Sequence, residues 1–182
     1  MTADPFAALQ AATRAHRRSH GCQAYTFEDG PALTRTSTAS GALRILELGT
    51  ALGYTACCLA AGHPDARVDT VEGDETHASL AREHIASVGL SERIAVHHGT
   101  FSTVLPTLPS GYDLVFFDGY APDVATLERL TEILNVGGTL VCANLGLAED
   151  SRHLMKLLNN TAVWTKADPI EGGSTVVRIK KR

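Results

Sequence analysis

The sequence has little of what several classes of protein require. Its four cysteines are Cys22, Cys57, Cys58 and Cys142, and no two of them make a C-x-x-C pair. That removes support for zinc ribbons and thioredoxin-type sites. Adjacent Cys57 and Cys58 are expected to be small, reduced core residues. No apolar run approaches the ~20 residues that span a bilayer. The first twenty residues carry their basic cluster after their apolar part, the reverse of a secretory signal. Basic residues are not in excess: 16 Lys and Arg face 20 Asp and Glu, for a net charge of −4. An extended nucleic-acid face needs the opposite balance. Aromatics make up 5% of the chain, and the single tryptophan, Trp164, is expected to pack at a sheet edge. These shortages predict a soluble, cytoplasmic protein with no membrane or nucleic-acid partner.

What is present is ordinary for a globular chain. Of 182 residues, 44% are hydrophobic and 20% charged. At about 150 residues per domain, that predicts one domain over 1–182. A helical cap covers 1–41 and the core covers 42–182. Residues 4–20 have helical spacing, and 21–41 read as a connector rich in Gly, Ser, Thr and Pro with room for a short helix. From there the pattern is regular. Short apolar strands at 43–48, 68–72, 94–97, 114–117 and 139–143 alternate with helices at 54–61, 74–88, 101–108, 122–134 and 148–159. Asp74 is placed to cap the second of these helices, and Gly89 sits just past its end. Gly137-Gly138 is expected to turn into the fifth strand. The tail adds two strands, 162–167 and 175–180.

Strands that are continuously apolar are covered on both faces, which predicts α/β architecture. Right-handed crossovers make it a doubly wound, mostly parallel sheet. Ligands on such sheets bind beyond the carboxyl ends of the strands, near the point where strand order reverses. There the first strand ends in Glu47-Leu48-Gly49-Thr50-Ala51-Leu52-Gly53. Gly49 permits a sharp turn and close backbone approach to a ligand; Gly53 lets the next helix begin tight against the sheet. Glu72 ends the second strand, where a carboxylate can accept both hydroxyls of a ribose. The spacing is E-x-G-x-x-x-G, not the G-x-G-x-x-G of dinucleotide sites, and no G-K-[ST] follows. It suits a ligand with ribose and adenine but no pyrophosphate, and it argues against a nicotinamide-dependent oxidoreductase.

Residues 45–145 resemble the class I S-adenosylmethionine-dependent methyltransferases. Within them they are similar to the bacterial O-methyltransferase group related to catechol and caffeoyl-CoA O-methyltransferases. The segments that carry the likeness are ILELGTALGYTA, VDTVEGDETHASLAREHI, GLSERIAVHHG, YDLVFFDGY and ILNVGGTLVCAN. The resemblance implies a seven-stranded Rossmann-like sheet with an antiparallel last hairpin, S-adenosylmethionine as cofactor and a small-molecule methyl acceptor. It places Glu47, Gly49, Thr50 and Gly53 around the methionine moiety, with Tyr54 and Thr55 near its carboxylate end. Glu72 and Gly73 fall on the ribose; Thr100, Phe101 and Ser102 fall beside the adenine. Asp118 closes the fourth strand next to the sulfonium.

The group is expected to hold a divalent cation such as Mg²⁺ and to use a lysine base after the fourth strand. The pattern there is Asp-x-x-Lys, but this chain has Asp118-Gly119-Tyr120-Ala121; where the group has Asp-Asn, it has Ala143-Asn144. Asp118 and Asn144 are thus two of three expected ligands, and the lysine is gone. Candidates for the missing chemistry are Asp118 itself, His98, His97, Tyr120 and Asp123, although strand alternation points only one of the two histidines inward and Asp123 can simply cap a helix. A non-catalytic nucleoside-binding or interaction protein on the same fold is the alternative. The cap is short, which implies an open pocket or one completed in a homodimer, with His20–Gly30 and Leu145–Asp150 as lining. His16 and His20 lie four apart on one helical face, a spacing that suits a metal pair, but among Arg14, Arg17 and Arg18 a solvated basic face is the better account.

Overall fold

A computed structural model describes residues 4–173 and 175–181. Residues 1–3 of the predicted cap, Ser174 in the last predicted loop and Arg182 lie outside them. Seven strands form one sheet: β1 (Arg44–Leu48), β2 (Arg67–Glu72), β3 (Ile94–His98), β4 (Tyr112–Phe117), β5 (Leu134–Cys142), β6 (Trp164–Ala167) and β7 (Val176–Lys180). Their order is β3-β2-β1-β4-β5-β7-β6. The first five pair in parallel, while β7 runs antiparallel to both β5 and β6. This is the predicted doubly wound sheet with its antiparallel end. β7, the later strand of the pair, is the one that joins the parallel part.

Among the described residues seven α-helices flank it: α1 (Ala7–His20), α2 (Gly30–Ser40), α3 (Tyr54–Ala60), α4 (Glu75–Ser87), α5 (Phe101–Val104), α6 (Val124–Ile133) and α7 (Ser151–Leu158). Alternation along the strands divides the core between two faces. Ile45, Leu114 and Phe116 pack with Leu9, Leu33, Leu59 and Ile85 from α1 to α4. Leu46, Leu48, Val115 and Phe117 pack with Val104, Leu127, Leu130 and Leu154 from α5 to α7. Each fully buried Leu or Phe contributes roughly 1.5–3 kcal/mol. Trp164 belongs to the second cluster, as expected of a packing residue. Cys57 and Cys58 are buried and unpaired. No helix among the described residues is long and apolar enough to cross a membrane.

Three local expectations need correction. The connector 21–41 contains a full helix, α2, capped by Asp29, whose carboxylate accepts from the Ala32 N–H at 2.9 Å. Asp29 followed by Pro31 in the first turn is the signal that marks it. β5 begins at Leu134, not after Gly137-Gly138; Gly137 takes φ +82° within an exposed, irregular stretch of the strand. The helix expected from 148 begins at Ser151, after a 3-10 turn at Leu145–Leu147. Asp74 does cap α4, accepting from the His77 N–H at 2.9 Å, and Gly89 has φ +73° beyond it.

Candidate active site

Strand order reverses between β1 and β4, and a cavity of about 1120 Å³ opens over the carboxyl ends there. Its floor is made by Gly49–Leu52, Val71–Asp74, Asp118–Tyr120 and Ala143–Asn144. Its walls come from the segment between α1 and α2, from Leu147 and from Glu171. Both predicted lining segments therefore contribute, the first through Cys22, Gln23 and residues 25–28 and the second through Leu147.

The turn after β1 is shaped by its neighbours. Gly49 has φ +99°, and a Cβ on it would lie 2.8 Å from the Asp118 carbonyl oxygen. Its bareness serves the contact between the ends of β1 and β4, not only room for a ligand. Gly53 has φ +92°, and its added Cβ would meet Ile85 Cγ1 at 3.2 Å. The close packing expected there is made with α4, not with the sheet, and Gly53 does not line the cavity. Between them Ala51 takes φ +45°, which a non-glycine residue adopts only when held. Glu72 holds it: its Oε2 accepts from the Ala51 N–H at 2.8 Å, and its Oε1 accepts from the Asp74 N–H at 3.0 Å. The carboxylate keeps unused lone pairs and lines the cavity beside Gly73.

Glu47 lies one layer behind this floor. It is fully buried, shares its face of β1 with Ile45, and is absent from the cavity lining. Its Oε2 accepts from the Thr70 hydroxyl at 2.6 Å; Thr70 and Thr50 hydroxyls lie 2.5 Å apart. Oε1 has no hydrogen-bond partner. Burial pushes the Glu47 carboxyl up to about 8, against the opposing effect of the nearby Thr55 and Thr70 hydroxyls. Thr50 and Thr55 both reach the cavity. So does Tyr54, but its hydroxyl donates to Asp4 Oδ2 at 2.6 Å, tying the cap to the core. Burial, and then that bond, raise its pKa.

Phe101 lines the cavity as expected, edge-on to Phe117 with ring centroids 5.8 Å apart. Thr100 and Ser102 do not line it. Their hydroxyls lie 3.0 Å apart, and Thr100 caps α5 by accepting from the Thr103 N–H at 3.3 Å.

Asp118 sits at the end of β4 facing the cavity. Its Oδ1 accepts from Asn144 Nδ2 at 3.3 Å, and the same nitrogen donates to the Gly119 carbonyl at 2.9 Å. Burial, and then the charge of Glu171, push the Asp118 carboxyl up to about 7; the Asn144 bond works against them. Glu171 comes from the loop between β6 and β7 and accepts from the Glu28 N–H. No sequence motif points to it, since its chain segment is distant from every other site residue. The expected Mg²⁺ ligands, Asp118 and Asn144, bond to each other, with the amide nitrogen toward the carboxylate. Together they offer one carboxylate and one amide oxygen, so most of the oxygens around a Mg²⁺ there would have to come from waters or the acceptor.

Of the candidate bases other than Asp118, only Tyr120 lines the cavity. His98 is exposed at the end of β3, and His97 bonds Asp69 on β2 at 2.7 Å. Neither reaches the site, because β3 is the edge strand, one beyond Glu72 from the switch point. The His98 assignment is corrected on that ground. Asp123 caps α6, accepting from the Thr126 N–H at 2.6 Å. His16 and His20 stack with centroids 4.2 Å apart, but His16 also meets His77 edge-on at 5.3 Å, which the helical spacing alone does not show.

Comparison with known proteins agrees with this geometry. Residues 46–145 match the methyltransferase domain family. A catechol O-methyltransferase of Mycobacterium tuberculosis is 34% identical over 125 residues, covering 67% of this chain and 57% of that protein. One from Niastella koreensis is 32% identical over 108 residues, covering 57% and 49%. The chain thus spans about half the length of these curated relatives. The O-methyltransferase TomG from Streptomyces achromogenes, solved in complex with S-adenosylmethionine, superimposes with a TM-score of 0.82 at 22% identity, over 96% of this chain and 90% of that one. The chain belongs to the class I S-adenosylmethionine-dependent methyltransferase family.

Proposed function

We propose that the protein transfers a methyl group from S-adenosylmethionine to a hydroxyl of a small molecule, such as a phenol or catechol, without a tightly held Mg²⁺. The observation that carries this is the Glu72 carboxylate, locked by the Ala51 and Asp74 N–H groups at the rim of a cavity that ends at Asp118. The residues fit the cofactor. Glu72 offers acceptors for ribose hydroxyls, Phe101 an apolar wall for adenine, and the Gly49–Thr55 turn a cradle for the amino-acid end. When bound, the cofactor supplies a methyl already activated on a sulfonium.

The chain's own residues then orient and deprotonate the acceptor. Alignment is worth up to ~7–11 kcal/mol in favourable systems. A phenol has a pKa near 10, by analogy with tyrosine, so a base helps at neutral pH. Asp118, held near 7 by burial and Glu171, is the base of this proposal, since general bases work best with a pKa near the working pH. Tyr120, Tyr25 and Leu147 wall the acceptor space. Among the described lining residues there are five carboxylates and no Lys or Arg, which disfavours a polyphosphate or nucleic-acid acceptor. A cytoplasmic homodimer belongs to the same proposal.

Calorimetry with S-adenosylhomocysteine, followed by transfer assays on a panel of phenols and catechols in the presence of EDTA, tests it. Saturable binding and turnover in EDTA are expected. Failure to bind at high micromolar ligand overturns the cofactor assignment. Binding without transfer across the panel favours the non-catalytic alternative.

A further inference from the structure

A second cluster lies at the opposite rim of the cavity from Asp118 and has no place in methyl transfer. α1 ends at His20 and is capped by Gly21, whose φ of +61° turns the chain so that Cys22 comes near His16. His77 sits in the first turn of α4 and is buried. One ligand atom each from His16, Cys22 and His77 lie within 4.8 Å of one another. This is the group of three metal-ligating side chains of this kind among the described residues.

The donors are two imidazoles and one thiol, the set that zinc-type ions prefer over Mg²⁺ or Ca²⁺. Tetrahedral Zn²⁺ with bonds of ~2.0–2.3 Å separates its ligand atoms by roughly 3.3–3.8 Å, so small side-chain rotations close the cluster on an ion. Two of the nearby arginines are engaged: Arg14 pairs with Glu28, and the Arg17 guanidinium lies 3.6 Å over the Tyr25 ring. The carboxylates favour a cation. His77 Nδ1 is 3.9 Å from Glu72 Oε1, and the Asp74 carboxylate accepts from the His77 backbone. A metal on Nε2 of His77 would leave its Nδ1 toward Glu72 at ion-pair distance, longer than a hydrogen bond, so the carboxylate acts on the site through its charge.

We propose that His16, Cys22 and His77 form a binding site for a zinc-type transition-metal ion, with its fourth position open at the cavity rim. Cys22 and His77 both line the cavity, and the three ligands join the cap to α4. The ion therefore clips the cap over the cofactor end and sits one side chain away from Glu72. This does not rest on the methyl-transfer assignment.

The test is Co²⁺ titration of the full chain, free of any histidine tag and stripped with EDTA. Expected is one equivalent bound, with a thiolate-to-cobalt charge-transfer band and a dissociation constant of about 10 µM or below, and displacement by Zn²⁺. Cys22→Ser should erase the band, and His77→Ala should weaken Zn²⁺ binding by about tenfold or more. The exposed His153→Ala should change neither. Far-UV circular dichroism confirms that each variant is folded; if His77→Ala is not, His16→Ala replaces it. Absence of the band in the parent protein, or Zn²⁺ affinity unchanged in Cys22→Ser and the histidine variant, overturns the proposal.

Discussion

The Glu72 carboxylate accepts the backbone N–H of Ala51 at 2.8 Å, so the end of β2 grips the turn that follows β1. The residue that faces the ribose in the proposed complex is also the one that holds Ala51 at φ +45°. Cofactor recognition and loop geometry thus share one side chain. Glu72→Ala should weaken S-adenosylhomocysteine binding by about tenfold or more, since hydrogen bonds to charged groups are worth roughly 1.5–3 kcal/mol. Titration calorimetry measures it. Unchanged affinity would place the ribose elsewhere.

Asp118 with its carboxyl near 7 predicts the pH behaviour of transfer. Only the ionised form accepts a proton, so the rate on a phenolic acceptor should rise as pH climbs through about 7. Asp118→Asn should lower the rate by about 10²-fold and remove that limb of the profile. Coincident pH profiles for the two proteins would exclude Asp118 as the base.

Glu47 predicts an effect on stability instead. Its pKa is raised from an ordinary 4.5 to about 8 in the folded chain. Between those values the folded state keeps a proton that the unfolded state has released. Stability is therefore lost as pH rises across that window. Asp118 adds the same sign up to about 7. Glu47→Gln cannot titrate, so the fall in Tm between about pH 5 and about pH 8 should be smaller in the variant than in the parent. Thermal melts at the two pH values decide it.

Tyr54 predicts how firmly the cap is docked. Tyr54→Phe removes the bond to Asp4 and should cost about 0.5–1.5 kcal/mol in urea unfolding. Gly30→Ala should act on the same contact, because its Cβ would fall 2.1 Å from the Tyr54 hydroxyl and push the ring aside. A Gly30→Ala protein as stable as the parent would mean that the ring has room to move.

The layout of elements was legible in the chain because its signals are local. Alternation of apolar strands and amphipathic helices, the Asp74 cap and Gly89 depend on neighbours a few residues away. So does the E-x-G-x-x-x-G turn, whose glycines do adopt positive φ. The glycines' reasons were not local. Gly49 is bare because Asp118 passes it, and Gly53 because Ile85 does. The structure brings Glu72 and Asp118 to the cavity, where their places at strand ends put them. It leaves His98 outside the lining, on the exposed end of the edge strand, which only the sheet order reveals.

Sequence alone therefore determined the doubly wound frame, the family and the acid that closes β2, because periodicity and motif spacing are properties of contiguous residues. The tertiary structure decided which groups meet across that frame. Glu171 faces Asp118, Tyr54 reaches Asp4, and His16 and Cys22 come to His77 only once β-strand crossovers and the return of the cap bring distant segments together. Those meetings depend on packing over tens of residues, and no short window of the chain encodes them.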